Sequence, residues 1–370
     1  MENQDQYLLA LAMTKGLGPV NVKNMIAYCG SAHAIFESSP AKLSKAPGIG
    51  QKLARLALDS PMLAKAEKEI AFCGKHDIQI MSYLHEAYPN ALKFIHDAPL
   101  FLFQKGAINL NQQTNLAIVG TRKATAYGQA LAEEFSQFFA ERGINVVSGL
   151  AYGIDITAHR AALAVGGKTT AVLAHGLDMM YPAVHKSKAL KMLESGGWVS
   201  EYFTGTKPEP PFFPARNRII SGICQGVLVV EAGEKGGALI TARTAFEQNR
   251  QVYAIPGRLS DPYSQGCHRL IAEDIARLVT RPQQILDDLE IDWQHHDDLT
   301  EQLNLFLPAP EILLTAEEAK ILNFLAQGEA VVDQIGQATG IPMARLQSLL
   351  LSMEFKSLVR QLPGKKFLKI

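Results

Sequence analysis

Leu116-Ala117-Ile118-Val119-Gly120-Thr121-Arg122 decides the fold. Four successive apolar residues make a strand covered on both faces, and the glycine after them lets the chain turn at once. Residues 126–142 then have helical texture and stop at Gly143, and Ile144-Asn145-Val146-Val147 makes a second strand before Ser148-Gly149. Strand, glycine turn, helix, strand is the unit of a parallel sheet with crossover helices. The unit recurs, with further strands expected at 169–174, 198–202, 227–230 and 251–255. Ligands of such α/β sheets bind outside the carboxyl ends of the strands.

Those ends carry the chemistry. Gly120-Thr121-Arg122 can offer turn amides and a guanidinium to one phosphate. Ser148-Gly149-Leu150-Ala151-Tyr152-Gly153-Ile154-Asp155 is a second tight turn, with Asp155 expected to cap the following helix. Glu231 ends a strand before Gly236-Gly237-Ala238-Leu239-Ile240-Thr241, where paired glycines let an anionic ligand approach the backbone. Pro210-Pro211-Phe212-Phe213-Pro214-Ala215-Arg216-Asn217-Arg218 delivers two arginines to a helix start, placed after Pro214 because proline disfavours helix before it. That stretch reads as an anion site or as a surface helix capped by Asn217, and its company among strand-end turns favours the anion.

Catalytic patterns are missing from the sequence. There is no Gly-x-Gly-x-x-Gly for a dinucleotide and no Gly-Lys-[Ser/Thr] for a P-loop. His159, His175, His185 and His268 share no metal-ligand spacing, and Ser148 and Ser221 lack a nucleophile-elbow context. The expectation is a binding device that needs no cofactor or metal, not an enzyme. Lys plus Arg number 36 and Asp plus Glu 36, which excludes a polybasic coat but not a locally positive cleft. Cys29, Cys73, Cys224 and Cys267 are widely spaced, as in reduced cytoplasmic proteins. Glu2 and Asp5 have the wrong sign for a signal peptide, and no apolar run reaches membrane-spanning length.

The flanks differ in texture. Residues 1–110 read as a helical domain in which Gly16-Leu17-Gly18 and Pro47-Gly48-Ile49-Gly50 each precede a helix. This fits a helix-hairpin-helix with Lys15, Lys23, Lys52 and Arg55 near DNA, or a sterile alpha motif-like (SAM-like) bundle whose glycines only turn the chain; the second is slightly favoured. Residues 111–280 form the sheet domain, and 281–314 an acidic linker with Asp287, Asp288, Asp297 and Asp298 among its charges. Residues 315–370 read as a winged helix whose main cations are Arg345 and Lys356.

The central strings resemble the DNA processing protein A family (DprA, also called Smf). They are Ile118-Val119-Gly120-Thr121-Arg122, Val147-Ser148-Gly149-Leu150-Ala151-Tyr152-Gly153-Ile154-Asp155, Gly176-Leu177-Asp178 with Tyr181-Pro182, and Ser200-Glu201-Tyr202. Phe213-Pro214-Ala215-Arg216-Asn217-Arg218, Val229-Val230-Glu231-Ala232, Ala238-Leu239-Ile240-Thr241-Ala242 and Ala254-Ile255-Pro256-Gly257 follow in family order. The resemblance implies an extended Rossmann-like domain that binds single-stranded DNA, forms a homodimer and helps load RecA recombinase, supporting natural transformation. It places DNA at Gly120, Thr121, Arg122, Arg216, Asn217 and Arg218, with Phe213 as a stacking ring and Lys186 as the pocket lysine, and the strand-end turns add Ser148, Gly149, Gly236, Gly237 and Thr241 as expected DNA contacts. Thr121 replaces a common serine, Gly236-Gly237 a Ser-Gly, His185-Lys186 a Glu-Asn, and His268 an asparagine. Glu273-Asp274-Ile275 stands in place of a Gly-Ala turn.

Two rivals remain at this point. Rossmann-like enzymes that cleave nucleoside monophosphates carry Pro-Gly-Gly-x-Gly-Thr, which Gly236-Gly237-Ala238-Leu239-Ile240-Thr241 only approximates. A transcription regulator would use the C-terminal module, with the sheet domain sensing a nucleotide.

Overall fold

The computed structural model describes residues 3–58, 62–292, 315–326, 328–355, 358–362 and 366–369. The chain divides into two compact units between Trp293 and Gln294.

The first unit opens with helices α1 (Asn3–Met13), α2 (Pro19–Cys29), α3 (Gln51–Leu58) and α4 (Met62–Lys75). Gly16 has φ of 90°, so the turn before α2 needs a residue without a side chain. Leu17 and Ile49, the apolar residues inside the two glycine turns, are buried. Strands β1 (Gln79–Ser82) and β2 (Phe101–Gly106) follow. Next come β3 (Asn115–Val119), α5 (Ala126–Glu141), β4 (Asn145–Ser148), α6 (Ile154–Ala164), β5 (Thr169–Leu173), α7 (Lys186–Met192) and β6 (Gly197–Ser200). The unit ends with α8 (Phe212–Gly222), β7 (Gly226–Val229), α9 (Gly237–Glu247), β8 (Gln251–Ala254), α10 (Gln265–Ala272), β9 (Arg277–Leu278) and α11 (Gln283–Asp288).

The sheet order is β1-β2-β6-β5-β4-β3-β7-β8-β9, parallel from β6 to β9 and antiparallel where β1 and β2 join. The chain moves outward from β3 through β4, β5 and β6, then returns to lay β7 on the other side of β3. The crevice between the carboxyl ends of β3 and β7 is thus the topological switch point, where open α/β sheets take their ligands.

Period-two alternation builds the two faces. Leu116 and Ile118 pack with Phe135 and Phe139 of α5, while Ala117 and Val119 pack with Ile219 and Ile220 of α8. A third cluster joins Leu8, Met25 and Ile35 of the helical region to Phe101 and Phe103 of β2 and Trp198 of β6. This shared core is why the N-terminal helices belong to the same compact unit as the sheet.

Three boundaries differ from the sequence reading. Residues 79–106 supply two strands of the sheet, so the helical region ends well before residue 110. The supposed linker begins as α11, whose Ile285 and Leu286 are buried and whose Asp288 pairs with Arg277; residues 293–314 of that linker lie outside the described residues. Helix α8 starts at Phe212 rather than after Pro214. Amides of a helix's first turn have no acceptor four residues back, so Pro214 costs α8 no hydrogen bond.

The second unit contains α12 (Ala316–Leu325), β10 (Ala330–Val331), α13 (Val332–Thr339), α14 (Met343–Phe355), β11 (Val359–Leu362) and β12 (Lys366–Lys369). Thr315 caps α12 in a capping box with Glu318. The strands form an antiparallel sheet in the order β10-β12-β11, and Ile321, Ile335, Leu346, Met353 and Phe367 fill the core. This is a winged helix. Arg345 is paired with Glu317 at 3.0 Å and Lys366 with Glu329 at 2.6 Å, while Lys356 lies outside the described residues.

Candidate nucleic-acid interface

A cleft of about 1010 Å³ opens at the switch point. Its walls are the turn after β3 (Gly120 to Lys123), the first turns of α8 and α9, and the loop between β7 and α9. Six cationic side chains line it (Arg122, Lys123, Arg216, Lys235, Arg243 and Arg269) against two carboxylates, Asp155 and Glu234. In a neutral chain this is a concentrated positive field, and a concave wall focuses it further.

The β3 turn is held by close backbone packing. Thr121 N donates to the Glu231 carbonyl at 2.8 Å, and Ile154 N donates to the Thr121 carbonyl at 3.2 Å. Gly153 has φ of 77° and lies so close to Thr121 and Arg122 that a side chain there would strike their backbone. The turn therefore projects Arg122 and Lys123 outward, and both are exposed. The Arg122 guanidinium lies 5.4 Å from the centre of the Phe213 ring, which meets Tyr181 at 5.9 Å. Arg122, Phe213 and Tyr181 form one continuous platform of cation and rings.

Opposite stands the start of α9. Gly236 precedes the helix with no side-chain cap, and residues 236–239 all line the cleft. A side chain at Gly236 would meet nothing within 4 Å, so packing does not require glycine there. Bare backbone at an uncapped helix start leaves room for an anion to reach the amides. Thr241 also lines the cleft, its hydroxyl donating to the Gly237 carbonyl at 3.1 Å.

Arg216 plays a different part from Arg122. It is 4% exposed; its Nη1 donates to the carbonyls of Gly149, at 3.0 Å, and Val172, and its Nε donates to Asn217 Oδ1. Burial lowers its pKa to about 10, partly offset by Asp155. Burial likewise pushes the Asp155 carboxyl up, against the pull of Arg216 and of the Ala151 and Gly149 amides. Asp155 accepts from those two amides, at 3.4 and 3.1 Å, and so closes the loop before α6 instead of capping the helix as expected. Asn217 donates to the Gly237 carbonyl at 3.2 Å and ties α8 to the start of α9. It lies inside α8, not at its cap.

Several expected site residues lie outside the cleft lining. Ser148 is fully buried and donates to the Ile118 carbonyl at 2.6 Å. Gly149 is buried beneath Arg216. Lys186 is exposed at the start of α7. Arg218 leaves α8 on another side, pairing with Asp97 at 3.2 Å and with Glu201, and lines a separate pocket. Glu231 is held by Thr125, accepting from its amide at 3.0 Å and its hydroxyl at 2.5 Å, and no arginine pairs with it among the described residues. Conversely, the sequence assigns no site role to Lys123, Lys235, Arg243, Arg269 or Tyr181, although Tyr181-Pro182 is one of the family strings. The first two adjoin motifs already singled out, so that adjacency is an available signal.

A family model described as DNA recombination-mediator protein A matches residues 79–290, and one for the DprA winged helix domain matches residues 306–365. The chain belongs to the DprA/Smf family. The DprA/Smf match begins at the first residue of β1, in keeping with the two antiparallel strands being part of the sheet domain. Protein Smf of Escherichia coli K12 is 39% identical, over 75% of this chain and 74% of that relative. The X-ray structure of DprA from Streptococcus pneumoniae matches with a TM-score of 0.66 and 35% identity, covering 76% of this chain and 97% of that one. DprA from Helicobacter pylori, whose structure is described for its single-stranded DNA binding mode, matches with a TM-score of 0.53 and 27% identity over 58% of this chain and 97% of that one.

Proposed function

We propose that this chain binds single-stranded DNA in the switch-point cleft without hydrolysing nucleotide, and that as a cytoplasmic homodimer it delivers the strand to RecA recombinase, in recombination and natural transformation. The observation that carries the first step is the pairing of the Arg122–Phe213–Tyr181 platform with the uncapped start of α9 across one cationic cleft. Backbone amides and cations suit phosphates, and rings suit unpaired bases, which is the combination single-strand binders use. The single-stranded DNA binding mode described for the Helicobacter pylori relative supports this reading, and the family description as a recombination mediator supports the delivery step.

Gel shifts with single- and double-stranded DNA of equal length, across a salt series, test the binding step. Single strands are expected to bind more tightly. Arg122→Ala is expected to weaken binding and lower the salt slope by about 1, as for loss of one phosphate contact. A preference for duplex, or no effect of Arg122→Ala, sinks the reading. Delivery is tested by whether the chain shortens the lag of RecA assembly on a single strand, and dimerisation by light scattering.

A further inference from the structure

Behind the first turn of α8 lies a second pocket, of about 590 Å³, and Pro214 lines both it and the cleft. Its rim carries Phe94, whose side chain is 86% exposed at the end of a short helix. The ring is open to solvent and lines the pocket, so a planar ligand can reach its face. The pocket is poorly suited to a phosphate. Two carboxylates, Asp97 and Glu247, line it beside one guanidinium, Arg218, and one imidazole, His96, and the guanidinium is already countered by Asp97 and Glu201. Glu247 and the side chain of Asn249 make no hydrogen bond or ion pair among the described residues, so both polar groups at the pocket edge are free to meet a ligand. Arg218 Nη1 is buried there with no hydrogen-bond partner among the described residues.

An apolar ring beside free carboxylate and amide groups, joined at Pro214 to a cationic cleft, matches a nucleobase and mismatches a phosphate. We propose that this pocket takes an unpaired base of the strand held in the cleft, stacked on Phe94, with Glu247 accepting from the exocyclic amino group of cytosine, adenine or guanine. The proposal rests on the reading of the cleft as a single-strand site. Thymine has no exocyclic amino group, and its one ring N–H lies between two carbonyl oxygens that repel a carboxylate, so the pocket favours the other three bases. The phosphates on either side of that base stay on the cationic side of Pro214, where the like charges of Asp97 and Glu247 do not oppose them.

The test compares oligo(dC) and oligo(dT) of equal length by fluorescence anisotropy, using the full chain, Phe94→Ala, Glu247→Gln and Arg122→Ala. Phe94 and Glu247 are both exposed, so neither substitution threatens folding. Phe94→Ala is expected to weaken both oligomers by about fivefold or more, the loss of one stacked base. Glu247→Gln is expected to lower dC affinity several-fold relative to dT. Unchanged affinity in Phe94→Ala overturns the pocket while leaving the cleft intact. A Phe94→Ala loss without any change in the dC to dT ratio in Glu247→Gln overturns the amino-group reading. If Arg122→Ala also binds normally, the cleft itself is misread, and the two failures are told apart.

Discussion

Arg216 and Gly149 are packed so that each fixes the other: the guanidinium donates to the Gly149 carbonyl at 3.0 Å, and a Cβ at 149 would sit 2.5 Å from Arg216 Nη2 and 2.8 Å from Asp155 Oδ2. The glycine after β4 makes room for a buried cation. Gly149→Ala is therefore expected to destabilise the fold by about 1–3 kcal/mol through overpacking. Arg216→Ala, which leaves Asp155 buried without its cation, is expected to cost about 3–5 kcal/mol. Urea melts check both. Arg122→Ala, at an exposed position, is expected to stay within about 0.5 kcal/mol of the parent chain. Lost DNA binding in Arg216→Ala alone thus says nothing about phosphate contact.

The uncapped start of α9 makes stability and binding move in opposite directions. Gly236 has φ of 161° and ψ of 166°, an extended conformation suited to an N-cap, and a Cβ added there would meet nothing within 4 Å. Gly236→Asp is expected to gain about 0.3–1 kcal/mol, because the new carboxylate accepts from the first-turn amides and meets the positive helix end. The same carboxylate occupies the place of a phosphate, so single-strand affinity is expected to fall at least about tenfold. A melt and a binding isotherm on one sample decide it. Binding unchanged alongside raised stability removes the α9 start from the site.

Arg218 braces the unit at some distance from the cleft. It joins Asp97, in the segment between β1 and β2, to Glu201 just after β6. Burial pushes the Glu201 carboxyl up and the Arg218 charge pulls it back. Removing the guanidinium strands that carboxylate, so Arg218→Ala is expected to cost about 3 kcal/mol. Adding Glu201→Gln is expected to recover part of the loss, because the stranded charge is gone. Full additivity of the two substitutions in denaturant melts contradicts the brace.

Helix α8 shows where local pattern stops informing. The sequence groups Phe213, Arg216 and Arg218 together as DNA contacts. Residues two apart on a helix lie about 160° apart around its axis, and here Arg216 turns into the sheet while Arg218 pairs with Asp97 and Glu201. That periodicity is present in the string, but a helix start placed after Pro214 sets both arginines in a first turn and hides it. The parallel strands β3 to β8 are legible because they are short apolar runs followed by turn residues, as at Val119-Gly120, whereas the two-residue β9 (Arg277–Leu278) carries no such run and is not. Strands β1 and β2 are not. Gln79-Ile80-Met81-Ser82 is short, and Phe101-Leu102-Phe103 lacks β-branched residues. What makes them strands is antiparallel pairing of β1 with β2 and of β2 with β6, about a hundred residues further along, and no local pattern encodes the second. The burial of Arg216 is hidden for the same reason, since its acceptors lie on β5 and after β4.

The buried His159 makes the sheet unit sensitive to acid. Its Nδ1 lies 2.6 Å from Thr169 Oγ1, and that hydroxyl donates onward to the Val146 carbonyl at 2.7 Å. Since the hydroxyl proton is committed to Val146, the ring must donate from Nδ1, leaving Nε2 as a bare lone pair with no hydrogen-bond partner among the described residues. Burial, with His185 and Arg216 adding repulsion, lowers the pKa to about 3. The unfolded chain, with an ordinary imidazole, binds a proton the folded one refuses. The stability that neutral His159 provides is therefore complete above about pH 6.5 and is lost progressively as pH falls toward about 3. Near pH 4 the loss is expected to be about 3 kcal/mol from this group alone. His159→Asn keeps a donor toward Thr169 without a titrating ring, so its stability is expected to fall less between pH 7 and pH 4. Parallel slopes for the two proteins over that window would show that His159 is not the group that titrates.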